Sequence, residues 1–273
     1  TIFVSATTVT AMIPSSFFSV AGTLPISVVD TVTQQSSGVV NFTVAVAPVV
    51  VFTGPSTATS DQQPMVTFQL KQPYAVPINC LLTLTFVPAT TTGIDDQAVQ
   101  FSTGGRTISF TVPAGSTTTP AVQFQTGTVA GTVTVTLGIV ADDVDVTPSN
   151  VAPIVVVLPE VVPQVATATL SRTGAGTAST VNVTMTGFSN TRDVTSAIFH
   201  FTPTPGNTIS DPDVTIDVTG VFATWFSDGA SDAYGSSFTY TQPFNLNADP
   251  STVQSVTVTL VNGVGNSVAQ TTE

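Results

Sequence analysis

The sequence predicts an all-β protein of tandem antiparallel β-sandwiches, and three observations carry that expectation. Apolar and polar residues alternate with a period of two along nearly the whole chain, and no long stretch repeats with the 3.6-residue period of a helix. Turn clusters rich in Gly, Pro, Asn, Asp and Ser separate the alternating runs at short intervals, the spacing of antiparallel sandwiches rather than of βαβ units. Threonine makes up roughly a fifth of the residues, and with Val and 17 Phe it suits a pleated, half-buried surface.

A chain of 273 residues has room for two domains and the remnant of a third, at about 100–200 residues each. Residues 1–46 read as an opening fragment with strands at "TTVTAMI", "PISVVD" and "GVVNFTVAV". The stretch "AVAPVVVFTGPSTATSDQQP" joins it to a second unit, residues 47–158, with strands at "MVTFQL", "LLTLTFV", "AVQFST", "RTISFTV", "AVQFQT" and "GTVTVTLGIV". In this unit Gly104-Gly105 predicts a two-residue hairpin loop, because both glycines tolerate positive φ. The register set by that loop pairs Thr103 with Arg106, Phe101 with Ile108 and Val99 with Phe110, and both apolar pairs share one face.

The Pro-rich stretch "DDVDVTPSNVAPIVVVLPEVVPQ" separates the second unit from a third, residues 159–273. Closely spaced prolines favour an extended, semi-rigid connector. Within it "IVVVL" is apolar enough to be a strand of either neighbour. The third unit supplies "VATATL", "STVNVTMTGF", "SAIFHFT", "DVTIDVT", "SFTYTQPF" and "QSVTVTLVN".

The opening "TTVTAMIPSSFFSVAGTLPISVV", followed after a polar turn by "VVNFTV", resembles the second half of an IPT/TIG-type immunoglobulin-like module. On that resemblance Pro14 ends a strand, Phe17 and Phe18 plug the bottom of a sandwich, and Gly22 restarts extended chain. The family's earlier strands are missing from these residues, so an unpaired sheet face and edge are expected unless residues 1–46 lean on the second unit. From residue 50 onward, "MVTFQLKQPYAVPINCLLTLTFVP", "DDQAVQFSTGGRTISFTVPAGS", "QTGTVAGTVTVTL" and "FATWFSDGASDAYGSSFTYTQPF" look similar to tandem immunoglobulin-like modules of very large exported proteins of soil bacteria. The resemblance implies the fold and an extracellular or cell-surface setting, and it implies no reaction.

Charge narrows the function. Charged residues make up 7% of the chain, against a usual value of about 25%. The four cations, Lys71, Arg106, Arg172 and Arg192, are scattered and the net charge is −12. Phosphate backbones and anionic lipid surfaces both need clustered cations, so neither nucleic acid nor a charged membrane surface is an expected partner. The longest apolar stretch, "VAPIVVVLPEVVPQVA", is broken by Pro153, Pro159 and Pro163 and holds Glu160, far from the ~20 apolar residues of a membrane span. Cys80 is the single cysteine, so no intrachain disulfide forms, and its setting "INCLLTLTF" reads as core.

Three constellations could carry chemistry. His200, the one histidine, alternates with Phe199 and Phe201, which puts it on the solvent side of a strand. The stretch "TWFSDGASDAYGSSF" holds the one Trp, and Trp225, Asp228, Asp232 and Tyr234 could form a shallow sugar- or peptide-binding platform. The competing reading makes it a loop or short helical turn whose Trp225 and Phe226 cap the third sandwich, the commoner fate of large aromatics. Asp142, Asp143 and Asp145, taken to lie at the junction of the second and third units, are the candidate Ca²⁺ ligands. Asp95 and Asp96, or Asp211, Asp213 and Asp217, could add to them, although no Asp-x-Asp-x-Asp-Gly loop is present.

No catalytic set emerges. "GASDA" lacks a strand–elbow–helix context, and Glu160 and Glu273 look peripheral for glycoside hydrolysis. The sequence therefore reads as a non-enzymatic structural, spacer or adhesive array without a required cofactor. Its partners would be neighbouring modules, with a glycan or a surface protein as an adhesive target. The alternative is a carbohydrate- or protein-binding accessory module that uses the Trp225 loop.

Overall fold

In a strand, successive side chains point to opposite faces, so an alternating sequence buries every second residue. The computed structural model, which describes residues 1–18, 22–44, 46–89, 93–176 and 178–272, follows that rule in the strands that line a core. In Gly131–Ala141, for example, Val133, Val135, Leu137, Ile139 and Ala141 are buried, while the threonines between them are partly or fully exposed. The chain is all-β, with antiparallel pairing between its named strands.

Two hairpins open it: β1 (Ile2–Ser5) with β2 (Thr8–Thr10), and β3 (Gly22–Ile26) with β4 (Val40–Val44). Among the described residues, neither is covered by a second sheet. Ile2, Phe3, Val9, Val32 and Val40 are exposed, as is Met12 at 96%, and Val44 is the buried apolar residue of this segment. Phe17 is 53% exposed, so it plugs no sandwich here; the side chain of Phe18 lies outside the described residues. Tyr74 donates its hydroxyl to the Val46 carbonyl at 2.5 Å and ties the end of this segment to the next module.

The second module runs β5 (Val50–Thr53), β6 (Met65–Leu70), β7 (Ile78–Pro88), β8 (Gln100–Phe101), β9 (Thr107–Val112), β10 (Val122–Gln125), β11 (Gly131–Ala141), β12 (Val144–Asp145) and β13 (Ile154–Leu158). One sheet has the order β5-β6-β10-β8. The other has β9-β7-β11, with β12 and β13 both paired to β11. The stretch "IVVVL" is therefore a strand of the second module. Between the sheets lie Phe68, Ile78, Leu82, Leu84, Phe101, Phe124, Val135 and Ile139, all essentially inaccessible. Each such side chain contributes roughly 1.5–3 kcal/mol by leaving water.

The Gly104-Gly105 hairpin is not formed as the sequence suggests. Both glycines do take positive φ, at 90° and 73°, and the Phe101 N–H donates to the Gly105 carbonyl. The strands then part: β8 pairs with β10 in one sheet and β9 with β7 in the other. Val99 and Phe101 therefore face the core from one side, and Ile108 and Phe110 from the opposite side. Shared burial is satisfied across the sandwich instead of within one ladder, and alternation alone does not distinguish the two.

Cys80 sits on β7 inside this core, and burial pushes its thiol up to about 11. The reactive species is the thiolate. Cys80 is therefore expected to resist an aromatic disulfide reagent at pH 8 in the native protein and to react within minutes in denaturant. Rapid native labelling would contradict its place in the core.

The third module runs β14 (Gln164–Ala175), β15 (Ala178–Phe188), β16 (Ser196–Pro203), β17 (Asp213–Asp217), α1 (Thr219–Ser227), β18 (Ser237–Leu246), β19 (Val253–Val261) and β20 (Gln270–Thr271). Its sheets are β14-β15-β18 and β17-β16-β19-β20. Helix α1 packs Phe222 and Phe226, one turn apart, into a core shared with Phe199, Phe201, Phe238 and Leu260. Phe244 stands edge-on to both Phe199 and Phe201 at 4.9 Å between ring centroids. Nine residues are too few to raise a helical period above the surrounding alternation, which is why α1 was at most a short helical turn in the sequence.

The two modules share one strand plan. In order of chain and position, β5, β6, β7, β9, β10, β11 and β13 correspond to β14, β15, β16, β17, β18, β19 and β20. Among the described residues, no helix is long and apolar enough to cross a membrane.

Candidate functional site

The structure concentrates its buried polar chemistry at the joint between the second and third modules. The loop between β15 and β16, "SNTRDVT", enters the joint with Arg192 at φ 54°, a left-handed conformation uncommon outside Gly and Asn. Arg192 is 5% exposed. Its Nε donates to the Gly235 carbonyl of its own module at 3.1 Å. Its two terminal nitrogens cross to the second module: Nη2 donates to the Asp95 carbonyl at 3.1 Å and Nη1 to the Ile94 carbonyl. Burial pushes the guanidinium below its ordinary value, and Asp96, Asp232 and Asp95 pull it back. An arginine so placed stays charged.

Asp96 organises the receiving side. It is 1% exposed. Its Oδ2 accepts the N–H of Thr128 at 2.8 Å and of Val129 at 3.1 Å, and its Oδ1 accepts the Ala98 N–H at 2.9 Å. These bonds fix the Thr128 hydroxyl, which accepts the Ser236 N–H of the third module at 2.8 Å. Ser236 returns a bond from its Oγ to the Thr128 carbonyl at 2.8 Å, and the Ala130 N–H donates to the Asn190 carbonyl at 2.8 Å. From beneath, Arg106 holds the same loop: Nε donates to the Val99 carbonyl at 2.9 Å, and Nη1 and Nη2 grip the Asp95 carboxylate at 2.7 and 2.8 Å.

The connector between the modules is pinned as well. The Asn190 side chain accepts the Val161 N–H at 2.9 Å and donates to the Pro159 carbonyl at 2.8 Å. Asn262 donates to the Val161 carbonyl at 3.0 Å. Proline content alone suggested a semi-rigid connector; two asparagines fasten it to the third module. Opposed hydrogen bonds in a solvent-poor joint fix orientation more than they add affinity, because each buried group must keep its partner.

The sequence-flagged platform divides between two places. Trp225 and Tyr234 lie 6.1 Å apart between ring centroids, tilted by 36°, and line a shallow groove of about 350 Å³ with Ser237, Phe238 and Thr239. Trp225 donates Nε1–H to the Ser237 carbonyl at 3.0 Å and is half-buried, while Tyr234 is 60% exposed. Asp228 starts the short 3-10 turn Gly229–Tyr234, accepting the Ala230 N–H at 3.0 Å. Asp232 is absent from the groove lining and belongs with Arg192: its Oδ1 is buried, no donor among the described residues reaches it, and its charge acts on the guanidinium. The four residues therefore form no single platform.

Asp142, Asp143 and Asp145 are not at the joint with the third module. Asp142 and Asp143 form the β11–β12 turn and Asp145 ends β12, at the opposite end of β11 from Gly131, on the side where Asp142 acts on Tyr74. Asp142 and Asp143 take φ of 47° and 62°, the left-handed pair that a two-residue hairpin turn demands, and Asp145 accepts the Thr147 N–H. Chain order misplaced them because an 11-residue strand carries the chain from one end of the module to the other. Asp217 receives the Thr219 N–H ahead of α1, Asp213 faces exposed His200 at 2.7 Å, and Asp211 lies on the far loop of the third module. Among the described residues, no three His, Cys, Asp or Glu side chains are grouped to hold a metal ion. Melting curves in millimolar Ca²⁺ and in chelator are expected to coincide; a midpoint raised by Ca²⁺ would restore a calcium site.

No family model and no curated protein matches the chain. Among solved structures it is similar to the chicken CNTN1 FN1-FN3 domains, with 10% identity over 90% of this chain and 75% of that one and a TM-score of 0.25. It is also similar to Escherichia coli alpha-2-macroglobulin activated by porcine elastase, with 13% identity over 92% of this chain and a TM-score of 0.28. The chain spans 24% of that protein.

Proposed function

We propose that the chain is a non-enzymatic module array of an exported, cell-surface protein of the bacterial kind its sequence resembles, in which the second and third modules act as one stiff unit that spaces or presents what lies beyond them. The observation that carries the reading is Arg192, a buried cation whose donors bridge both modules through backbone carbonyls. Asp145 and Asp217 are spent on nearby backbone, accepting the N–H groups of Thr147 and Thr219. The array needs no cofactor, and its primary partners are modules of its own type.

The reading is tested by nitroxide labels at Val87→Cys on the second module and Val268→Cys on the third, both exposed sites. A narrow distance distribution supports a stiff unit, and a broad one refutes it. A second reading, adhesion through the Trp225–Tyr234 groove, has the open aromatic pair in its favour. A glycan and peptide screen decides it: a ligand bound by the parent and lost in Trp225→Ala would establish it. The spacer reading expects no such ligand.

A further inference from the structure

We infer that the far end of the third module is a second socket, built to receive another sandwich module end-on with an arginine-bearing loop leading. The inference rests on the spacer reading and extends it to a surface that no other module occupies among the described residues.

The strand correspondence supplies the argument. The observed socket on the second module consists of the β7–β9 connection, which carries Ile94, Asp95 and Asp96, and the β10–β11 loop, which carries Gly127 to Ala130. The equivalents in the third module are the β16–β17 loop and the β18–β19 loop. These two loops border a cavity of about 390 Å³, with Phe201, Ile209, Phe244 and Leu246 in its apolar lining and Asp211 as the carboxylate among its lining residues. In the observed joint Ala130, on the β10–β11 loop, is fully buried and its N–H donates to the Asn190 carbonyl of the third module. Ala248, on the β18–β19 loop, lies exposed at the edge of the cavity.

Chain direction and loop rigidity agree with this placement. β13 leads the chain out beside Gly131, at the socket end of the second module. β20 runs the same way in the third, with Gln270 and Thr271 opposite Val258 and Thr257, so it heads toward Val253 and the cavity. The floor is also prepared. Arg172 donates to the carbonyls of Pro250, Val253 and Gln254, and Ser179 donates to the Ala248 carbonyl at 2.6 Å, which hold the β18–β19 loop as Asp96 holds the β10–β11 loop. The occupant that fits an apolar hollow with a carboxylate on its lining is a module whose β15–β16-type loop presents a guanidinium. The third module itself carries such a loop.

The test extends the full chain at its C-terminus by a second copy of residues 159–273, which places one Arg192 loop behind the cavity. Nitroxide pairs at Val268→Cys in both copies report the new joint, and Val87→Cys with the first Val268→Cys reports the native one. Docking is expected to give a narrow distribution at the new joint. Ile209→Asp with Asp211→Lys in the first copy, or Arg192→Gln in the added copy only, should broaden it while the native joint stays narrow. A new joint that is broad without substitutions while the native joint is narrow overturns the socket and leaves the spacer reading standing. A narrow new joint indifferent to all three changes also overturns it. Broad distributions at both joints overturn both.

Discussion

Gly235→Val is expected to release the third module from the second while leaving both folded. Gly235 sits at φ 60°, and a Cβ there would stand 2.4 Å from Thr128 Oγ1 and 3.0 Å from Asp96 Oδ2. Those atoms belong to the polar set that fixes the joint, so a side chain wedges the modules apart where they must meet. A left-handed backbone costs an ordinary L-residue about 1–2 kcal/mol, and the clash adds to it. The expected result is a broadened Val87–Val268 distance distribution with unchanged strand content by circular dichroism. Gly206→Val separates strain from wedging: its φ is 89°, yet nothing lies within 4 Å of its Cβ. That variant should lose some stability and keep the joint.

Arg192→Met should be the more destabilising change. It removes the guanidinium's donors to the carbonyls of Gly235, Ile94 and Asp95, and it leaves the buried Asp232 Oδ1 without the cation that acts on it. Removing one partner from a buried charged network costs about 3–5 kcal/mol, largely because the remainder is left uncompensated. The loss should be visible in urea unfolding of the third module together with loosening of the joint. Arg192→Lys is expected to recover only part of it, since a point ammonium cannot reproduce a fork whose Nε and Nη atoms serve opposite modules. Unchanged unfolding in Arg192→Met would remove the arginine from its central place.

The strands were legible because burial in a sandwich follows the pleat, and the pleat is written directly in the alternation of β6, β7, β11, β16 and β19. Sheet membership was not legible. Val99, Phe101, Ile108 and Phe110 satisfy the same alternation whether they pair in one ladder or meet across a core. The joint was hidden for a different reason. Arg192 meets Asp95 across 97 residues of sequence, and its targets are backbone carbonyls, which carry no side-chain signature. One signal was present and read only as scatter. In a chain with four cations, three are arginines, and each donates to the backbone of a loop distant in sequence or at a module end. A charge-poor surface that retains arginine points to loops that need forked donors.

The central claim is that β5–β13 and β14–β20 move as one body because Arg192, Thr128 and Ser236 lock their ends. Residual dipolar couplings of backbone amides, collected on the full chain in a weakly aligning medium, test this most directly. The account predicts that one alignment tensor fits the amides of both modules, and that Gly235→Val splits it into two of different magnitude. Two unrelated tensors in the unsubstituted protein would contradict it.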